Sequence, residues 1–365
     1  MRSLATWWGG IFLLGGGLAA GVGACRGADD GSVQGEDSLV SGVHVLTQHN
    51  DSARTGANLA EKILNASNVT AQSFGKLFSR DVDGQVFAQP LYVGGVDGKN
   101  VVFVATEHNS VYAFDADLAR ASAPIWKVNL GPSVPATDTG CGLLAPEIGI
   151  TSTPVIDLAA RTLFVEAKTK EMGRYVHRLH ALDLSTGAEK PNSPVEITAR
   201  ARGTGGGTAG GFVSMDPLKH MNRPGLLQVG NVIYIGFASN CDIDPYHGWV
   251  LAYDTTTLQQ IAVHVDTPDG DEGGIWHGGV GLAADARGDV YYASGNGTFD
   301  AQDNFGNSVV RLRSSASGSL DVQSFFTPGD SALLNSRDLD IGSTGVLLVP
   351  NTNLLVAGGK SGVFY

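Results

Sequence analysis

A chain of 365 residues holds one large domain or two ordinary ones, and 42% hydrophobic content is enough for a core. The 50 glycines point to many turns, and a formal net charge of −12 disfavours nucleic acid or an anionic membrane face as the main partner. Small molecules, cations and other proteins remain open.

The first stretch is an address. Arg2 precedes an apolar run, Leu4–Val22, that ends in Val22-Gly23-Ala24-Cys25. The pattern resembles a bacterial lipobox, in which small residues admit the signal peptidase and the cysteine takes up lipid. Residues 1–24 are then a lipoprotein signal peptide, Cys25 the lipidation site, and residues 25–42 a polar, flexible tether. An uncleaved transmembrane anchor is the alternative, disfavoured because the run is short and rich in glycine. The expected product is a lipid-anchored protein of the bacterial cell envelope, periplasmic or outward-facing. Cys141 and Cys241 remain and can pair in an oxidising compartment, but nothing in the sequence sets their geometry.

Residues 43–365 show no convincing amphipathic helix beyond a turn or two near Asn58–Leu64. Short β-branched and aromatic strands recur in pairs instead. Val101–Thr106 leads to Val111–Asp115, Thr162–Ala167 to Leu179–Asp183, and Val232–Ala238 to Val250–Asp254. Val290–Ser294 leads to Ser308–Leu312, and Leu354–Gly358 begins the figure again. A further strand precedes each pair (Gln89–Val93, Ser152–Ile156, Gly225–Val229, Val280–Ala284, Val346–Val349). Most pairs are followed by another strand (Pro124–Leu130, Ile261–Val265, Val322–Thr327). Asp115, Asp183 and Asp254, spaced by 68 and 71 residues, read as repeated turns. Four antiparallel strands per unit, repeated without linkers, predict an all-β protein, a β-propeller of four-stranded antiparallel blades rather than a series of sandwiches. About four and a half blades are visible and Tyr365 falls inside a strand, so a C-terminally truncated propeller is expected.

Common catalytic signatures are missing. There is no GxSxG elbow, P-loop, CxxC zinc pattern or haem attachment site. Gly205–Gly210 fits GxGxxG but has no strand before it and no helix after it, which makes it a flexible loop. His177 and His180 point to opposite faces of a strand and form a poor metal pair.

The blade pattern Ala-x-Asp-x-x-Thr-Gly at Ala181–Gly187 resembles that of the eight-bladed quinoprotein propellers, which include the pyrroloquinoline-quinone (PQQ)-dependent alcohol dehydrogenases. The likeness begins at Arg54-Thr55-Gly56 and Asn68-Val69 and continues through His247–Asp254. Trp276, followed by a strand ending Gly295-Asn296-Gly297, is similar to the family's cofactor-stacking tryptophan and metal-binding asparagine. Arg337-Asp338-Leu339-Asp340 falls where the family has Trp-Asp-Tyr. The resemblance implies that Asp338 is the catalytic base and a metal ligand. It likewise implies that Asp340 is the extra carboxylate of lanthanide-using members and that Lys360 binds the quinone. Two aspartates spaced by two on a strand share a face and can reach one ion. The family's adjacent-cysteine ring is absent, and its metal-binding glutamate has no clean counterpart; Asp242 or Asp244, in an inserted loop, is the expected substitute.

Two functions follow. The first is a PQQ-dependent dehydrogenase with calcium or a lanthanide, oxidising a small alcohol or sugar and passing electrons to a separate acceptor. The second is a non-catalytic propeller lipoprotein that binds no cofactor and serves as a scaffold for other envelope proteins.

Overall fold

Within a sheet most strands pair with the next in sequence, because short turns leave hairpins as the nearest way to satisfy the backbone. A computed structural model describes residues 43–120, 123–315 and 318–365. The expected signal peptide, Cys25 and the tether to residue 42 lie outside them. Sheet I runs His44–Val45, Leu91–Val96, Lys99–Ala105, Ser110–Asp115 and Trp126–Asn129. Sheet II runs Val155–Asp157, Thr162–Glu171, Arg174–Asp183 and Val195–Ile197. In sheet III, His220–Met221 and Leu227–Val229 both pair with Val232–Ser239, followed by Trp249–Asp254 and Gln260–Val265. Sheet IV runs Ala283–Ala284, Val290–Ala293, Val309–Ser314 and Leu320–Phe326, and sheet V pairs Val346–Leu348 with Leu355–Ala357. This is the expected propeller pattern, four full blades and the first two strands of a fifth.

Two details differ from expectation. The outer strand of sheet II, Val195–Ile197, escaped notice because three residues carry too little pattern. No helix forms near Asn58–Leu64; the side chains of Asn58, Asn65 and Asn68 accept nearby backbone N–H groups instead, competing with helical bonds. The one described α-helix is Ser331–Ser336.

Sheets pack face to face, and a strand's period of two divides its side chains between neighbours. Leu163, Val165 and Ala167 of sheet II join the core against Val101, Phe103 and Ala105 of sheet I. Phe164, on the other face, joins Ile235, Phe237 and Trp249 of sheet III. Polar groups share that second face. Glu166 meets His177 at 2.6 Å, and Lys168 donates to the carbonyls of Leu218 and His220, each at 2.8 Å. His180, on the opposite face, meets Glu189 at 2.6 Å, so the two histidines go to different partners as expected.

The repeated aspartates are turn residues. Asp183 Oδ1 accepts the N–H groups of Ser185 and Thr186 at 3.0 and 3.1 Å, and Asp254 Oδ1 those of Thr256 and Thr257 at 3.0 and 2.7 Å. The turn after Asp183 also locks blades together. Trp126 Nε1 of sheet I donates to Leu184 O at 2.9 Å, and its ring lies so close to Gly187 that a Cβ there would fall 2.6 Å from it.

The segment His44–Arg54 touches each of sheets I to V. His44 and Val45 pair with sheet I, Ile156 of sheet II donates to Leu46 O at 2.8 Å, and Thr47 Oγ1 donates to Leu226 O of sheet III. Ala284 of sheet IV donates to Ser52 O at 2.7 Å, and Leu348 of sheet V to Ala53 O at 2.9 Å. Arg54, 1% exposed, gives its guanidinium protons to Leu282 O (2.7 Å), Gln48 O (2.7 Å), Thr47 Oγ1 (2.8 Å) and Leu226 O (3.2 Å). Arg54→Met should lower the free energy of unfolding by on the order of 3 kcal/mol, because those acceptors lose their donor in a dry interior. A denaturant midpoint measures it, and Arg54→Lys should recover only part, having no planar fork.

Glu107, fully buried, accepts the Gly149 N–H at 2.6 Å through Oε2. Burial raises its carboxyl pKa to about 7 against an ordinary value of 4.5, opposed in part by the Gly149 N–H. Between those values the folded state holds a proton that the unfolded state releases, so this group's contribution to stability is lost as pH rises through about 7. Glu107→Gln, which mimics the neutral acid, should gain on the wild type by on the order of 3 kcal/mol between pH 4.5 and pH 8. Parallel urea titrations at the two pH values test this; a difference independent of pH refutes it.

Candidate functional site

The site lies where loops of sheets IV and V meet. Trp276 sits in the loop entering sheet IV, half-buried, with the Tyr246 ring edge-on at 6.0 Å and the Arg223 guanidinium 5.7 Å from its centre. Strand Val290–Ala293 then delivers Gly295 against it. A Cβ on Gly295 would fall 2.6 Å from both the Trp276 ring and Asp340 Oδ1, so only glycine lets these groups meet. Asn296 follows. Its backbone N–H donates to Asp340 Oδ1 at 2.6 Å, and its side-chain Nδ2 donates to Asp338 Oδ1 at 2.9 Å.

Asp338 and Asp340 are not on a strand. Helix Ser331–Ser336 ends in a Schellman motif, in which Leu339 N–H bonds Leu334 O at 3.0 Å and Asp338 N–H bonds Asn335 O at 3.3 Å. Asp338 takes the left-handed position at φ 53°, which aspartate tolerates better than most residues. Asp340 precedes a single 3-10 turn, Ile341–Ser343. The aspartates nonetheless reach one point, because Lys360 comes between them. Its Nζ lies 2.7 Å from Asp338 Oδ1 and 2.5 Å from Asp340 Oδ2, while its backbone N–H donates to Asp340 O at 2.9 Å. Burial disfavours its charge, but the two carboxylates prevail and hold the ammonium pKa above its ordinary value. The Asp338 side chain is 65% exposed and that of Asp340 only 6%, so Asp338 faces solvent and Asp340 lies beneath it.

Asn307 and Asn335 buttress this cluster. Asn307 Nδ2 donates to Asn296 Oδ1 at 3.0 Å and to Asn335 Oδ1 at 2.6 Å, and Asn335 Nδ2 donates to Gly297 O at 2.7 Å. Neither carries a motif of its own in the sequence.

Asp242 and Asp244 have other hydrogen-bond partners. Asp242 Oδ1 accepts the Tyr246 hydroxyl at 2.8 Å, and Lys219 Nζ donates to the Asp244 backbone carbonyl at 2.6 Å. The carboxylate that sequence reasoning missed is Glu272, half-buried four residues before Trp276 in Asp-Gly-Asp-Glu-Gly-Gly. Burial, then the charges of Asp244, Asp242, Asp271 and Asp340, raise its pKa. Acidic residues beside tandem glycines were the only available signal. Cys141 and Cys241 are disulfide-bonded, with Cα atoms 5.9 Å apart, which joins the Asp242–Asp244 loop to the connection between sheets I and II. The loop read as flexible is held in place, with Gly205 and Gly206 donating to Pro268 O and Gly270 O at 2.9 and 3.0 Å.

Among the described residues, no group of three or more histidine, cysteine, aspartate and glutamate side chains is arranged to hold a metal ion. The oxygens of Asp338 and Asp340 still fit a hard cation, and the Lys360 ammonium stands in for one there, while Asn296 turns its N–H groups to the aspartates and its Oδ1 to Asn307. Trp276 offers a flat face, with Arg223 beside it and Lys360 at the neighbouring cluster, which suits a planar polycarboxylate.

No family model and no curated protein matches the chain. Solved structures do. The quinohemoprotein alcohol dehydrogenase of Comamonas testosteroni superposes with a TM-score of 0.61 at 18% identity, over 91% of this chain and 49% of that one. The quinohemoprotein alcohol dehydrogenase ADHIIG of Pseudomonas putida HK5 gives 0.59 at 16% identity, over 88% and 46%. A europium-containing methanol dehydrogenase gives 0.55 at 18%, over 90% and 57%. The chain thus spans about half the length of the solved chains it matches. Identities this low establish architecture alone, and on that ground the chain has the fold of the quinohemoprotein alcohol dehydrogenase and methanol dehydrogenase propellers.

Proposed function

We propose that this is an exported quinoprotein-type propeller, lipid-anchored through Cys25, that oxidises a small alcohol or sugar and delivers the electrons to a separate acceptor. The observation that carries this reading is the convergence of Trp276, Asn296, Asp338, Asp340 and Lys360 from two sheets onto one cluster. Trp276 is the stacking floor. Lys360 and Arg223 are the cations for ligand carboxylates. Asp338 and Asp340 are the side chains that would hold calcium or a lanthanide, and Asn296 would join them through Oδ1 on giving up its bond from Asn307.

When bound, PQQ supplies the two-electron acceptor and the metal supplies Lewis acidity at its carbonyl. The chain's own task is to position the substrate and take its hydroxyl proton. Asp338 suits that task, because Asn296 Nδ2 donates to Oδ1 and thereby orients Oδ2 as the free acceptor. Asp340 fixes the position of Asn296 through the backbone N–H. Glu272 and Tyr246 complete the wall behind Trp276.

The full chain, titrated with the quinone in the presence of calcium or a lanthanide, should show saturable quenching of tryptophan fluorescence and dye reduction with an alcohol panel. Trp276→Ala should weaken quinone binding about tenfold or more. Asp338→Ala should cut dye reduction by about a hundredfold or more. Quinone binding and turnover indifferent to both changes would refute the assignment. Gly295→Ala should impair binding as Trp276→Ala does, because its methyl group collides with the Trp276 ring and Asp340. Normal binding in that variant would mean the two groups need not meet.

A further inference from the structure

The chain places a cation of its own between the two carboxylates. Three of their four oxygens accept protein donors: Asp340 Oδ1 from Asn296 N–H, Asp340 Oδ2 from Lys360, and Asp338 Oδ1 from both Lys360 and Asn296 Nδ2. The backbone of Lys360 is tied to the same place. Its N–H bonds Asp340 O at 2.9 Å, and a Cβ on the preceding Gly359 would lie 3.0 Å from that carbonyl. Thr344 Oγ1 fixes the turn further by donating to Gly358 O at 2.6 Å and accepting Gly358 N–H at 3.0 Å. Any movement of the ammonium is therefore made by its flexible four-carbon stem, and the backbone stays.

We infer that Lys360 is a built-in counter-ion that occupies the metal position, and that it couples metal binding to quinone binding by moving from the aspartates to the ligand's carboxylates. The inference rests on the quinone reading above. With Lys360 in place, a metal must displace a positive charge already satisfied by both aspartates. With Lys360 drawn onto an anionic ligand, the aspartates face each other without a counter-ion, and a hard cation in the vacated position restores neutrality. Each ligand then favours the other, and to the same extent, because coupling free energy is reciprocal. Asn296 keeps both of its bonds to the aspartates throughout, so the pair stays assembled while its counter-ion changes.

The test is terbium luminescence sensitised by protein tryptophan, which reports metal occupancy without turnover. In the wild type, terbium alone should bind weakly, and saturating PQQ should tighten it by about tenfold or more. Lys360→Met should bind terbium about tenfold more tightly than wild type without PQQ, and PQQ should then add little. Asp338→Asn in the Lys360→Met background should abolish the gain, which places the ion at this site. Terbium binding in the wild type that is equally tight with and without PQQ overturns the inference while leaving the quinone reading intact. Failure of PQQ to quench tryptophan fluorescence in the wild type, with or without metal, overturns the quinone reading and the coupling with it. The wild-type arm needs no variant, so a Lys360→Met protein that fails to fold does not remove the test.

Discussion

A buried guanidinium with no buried carboxylate to balance it holds the ring of sheets to its first strand. Taking Arg54 out of water carries a heavy desolvation cost, met by four oxygens supplied from residues 47–48 and from sheets III and IV. Because Leu226 O and Leu282 O belong to neighbouring blades, the charge sets the distance between them. Gly281 completes the fit, since a Cβ there would fall 2.6 Å from the guanidinium. The segment around Arg54 therefore acts as the common edge that sheets II to V share with sheet I.

That edge also forms the floor of the site. Gln48 accepts Gly281 N–H at 2.8 Å, Gly281 O pairs with His277 Nδ1 at 3.2 Å, and His277 Nε2 accepts Ala293 N–H at 2.9 Å. Burial first, and nearby Arg54 among the lesser causes, depress the His277 pKa to about 4, which keeps the ring neutral and able to accept that bond. Trp276 is the next residue, and Ala293 ends the strand that carries Gly295 and Asn296. Rigidity thus passes from Arg54 to the tryptophan through three hydrogen bonds, and the upper cluster at Lys360 is the part left to ion pairs and exposed side chains.

Much of this was legible in the sequence, and the exceptions have physical causes. Strand period and the recurring turn aspartates located the blades, because a chain buried on both faces repeats its apolar runs and its Asx turns together. The order Trp276, Asn296, Asp338, Lys360 marked a neighbourhood. The means of assembly was not visible: Asp338 and Asp340 meet through a Schellman turn and a lysine, neither of which two residues of spacing reveals. Asn307, Asn335 and Glu272 matter through partners distant in sequence, and a local pattern carries no trace of such partners. The neutrality of Glu107 comes in the same way from burial among residues distant in sequence, and the N–H that opposes it belongs to Gly149, 42 residues away.

The disulfide between Cys141 and Cys241 spans 100 residues and so encloses the whole of sheet II and the glycine-rich loop at 203–211 within one covalent circle. A single peptide-bond cut anywhere inside that circle opens the chain without releasing a fragment. Sheet I and sheet IV would remain parts of one molecule, and the loop carrying Asp242 and Asp244 would stay tied to the connection between sheets I and II. The integrity of this side of the protein is thereby partly uncoupled from the integrity of its backbone: damage there becomes separation only when the bond between the sulfurs is also reduced.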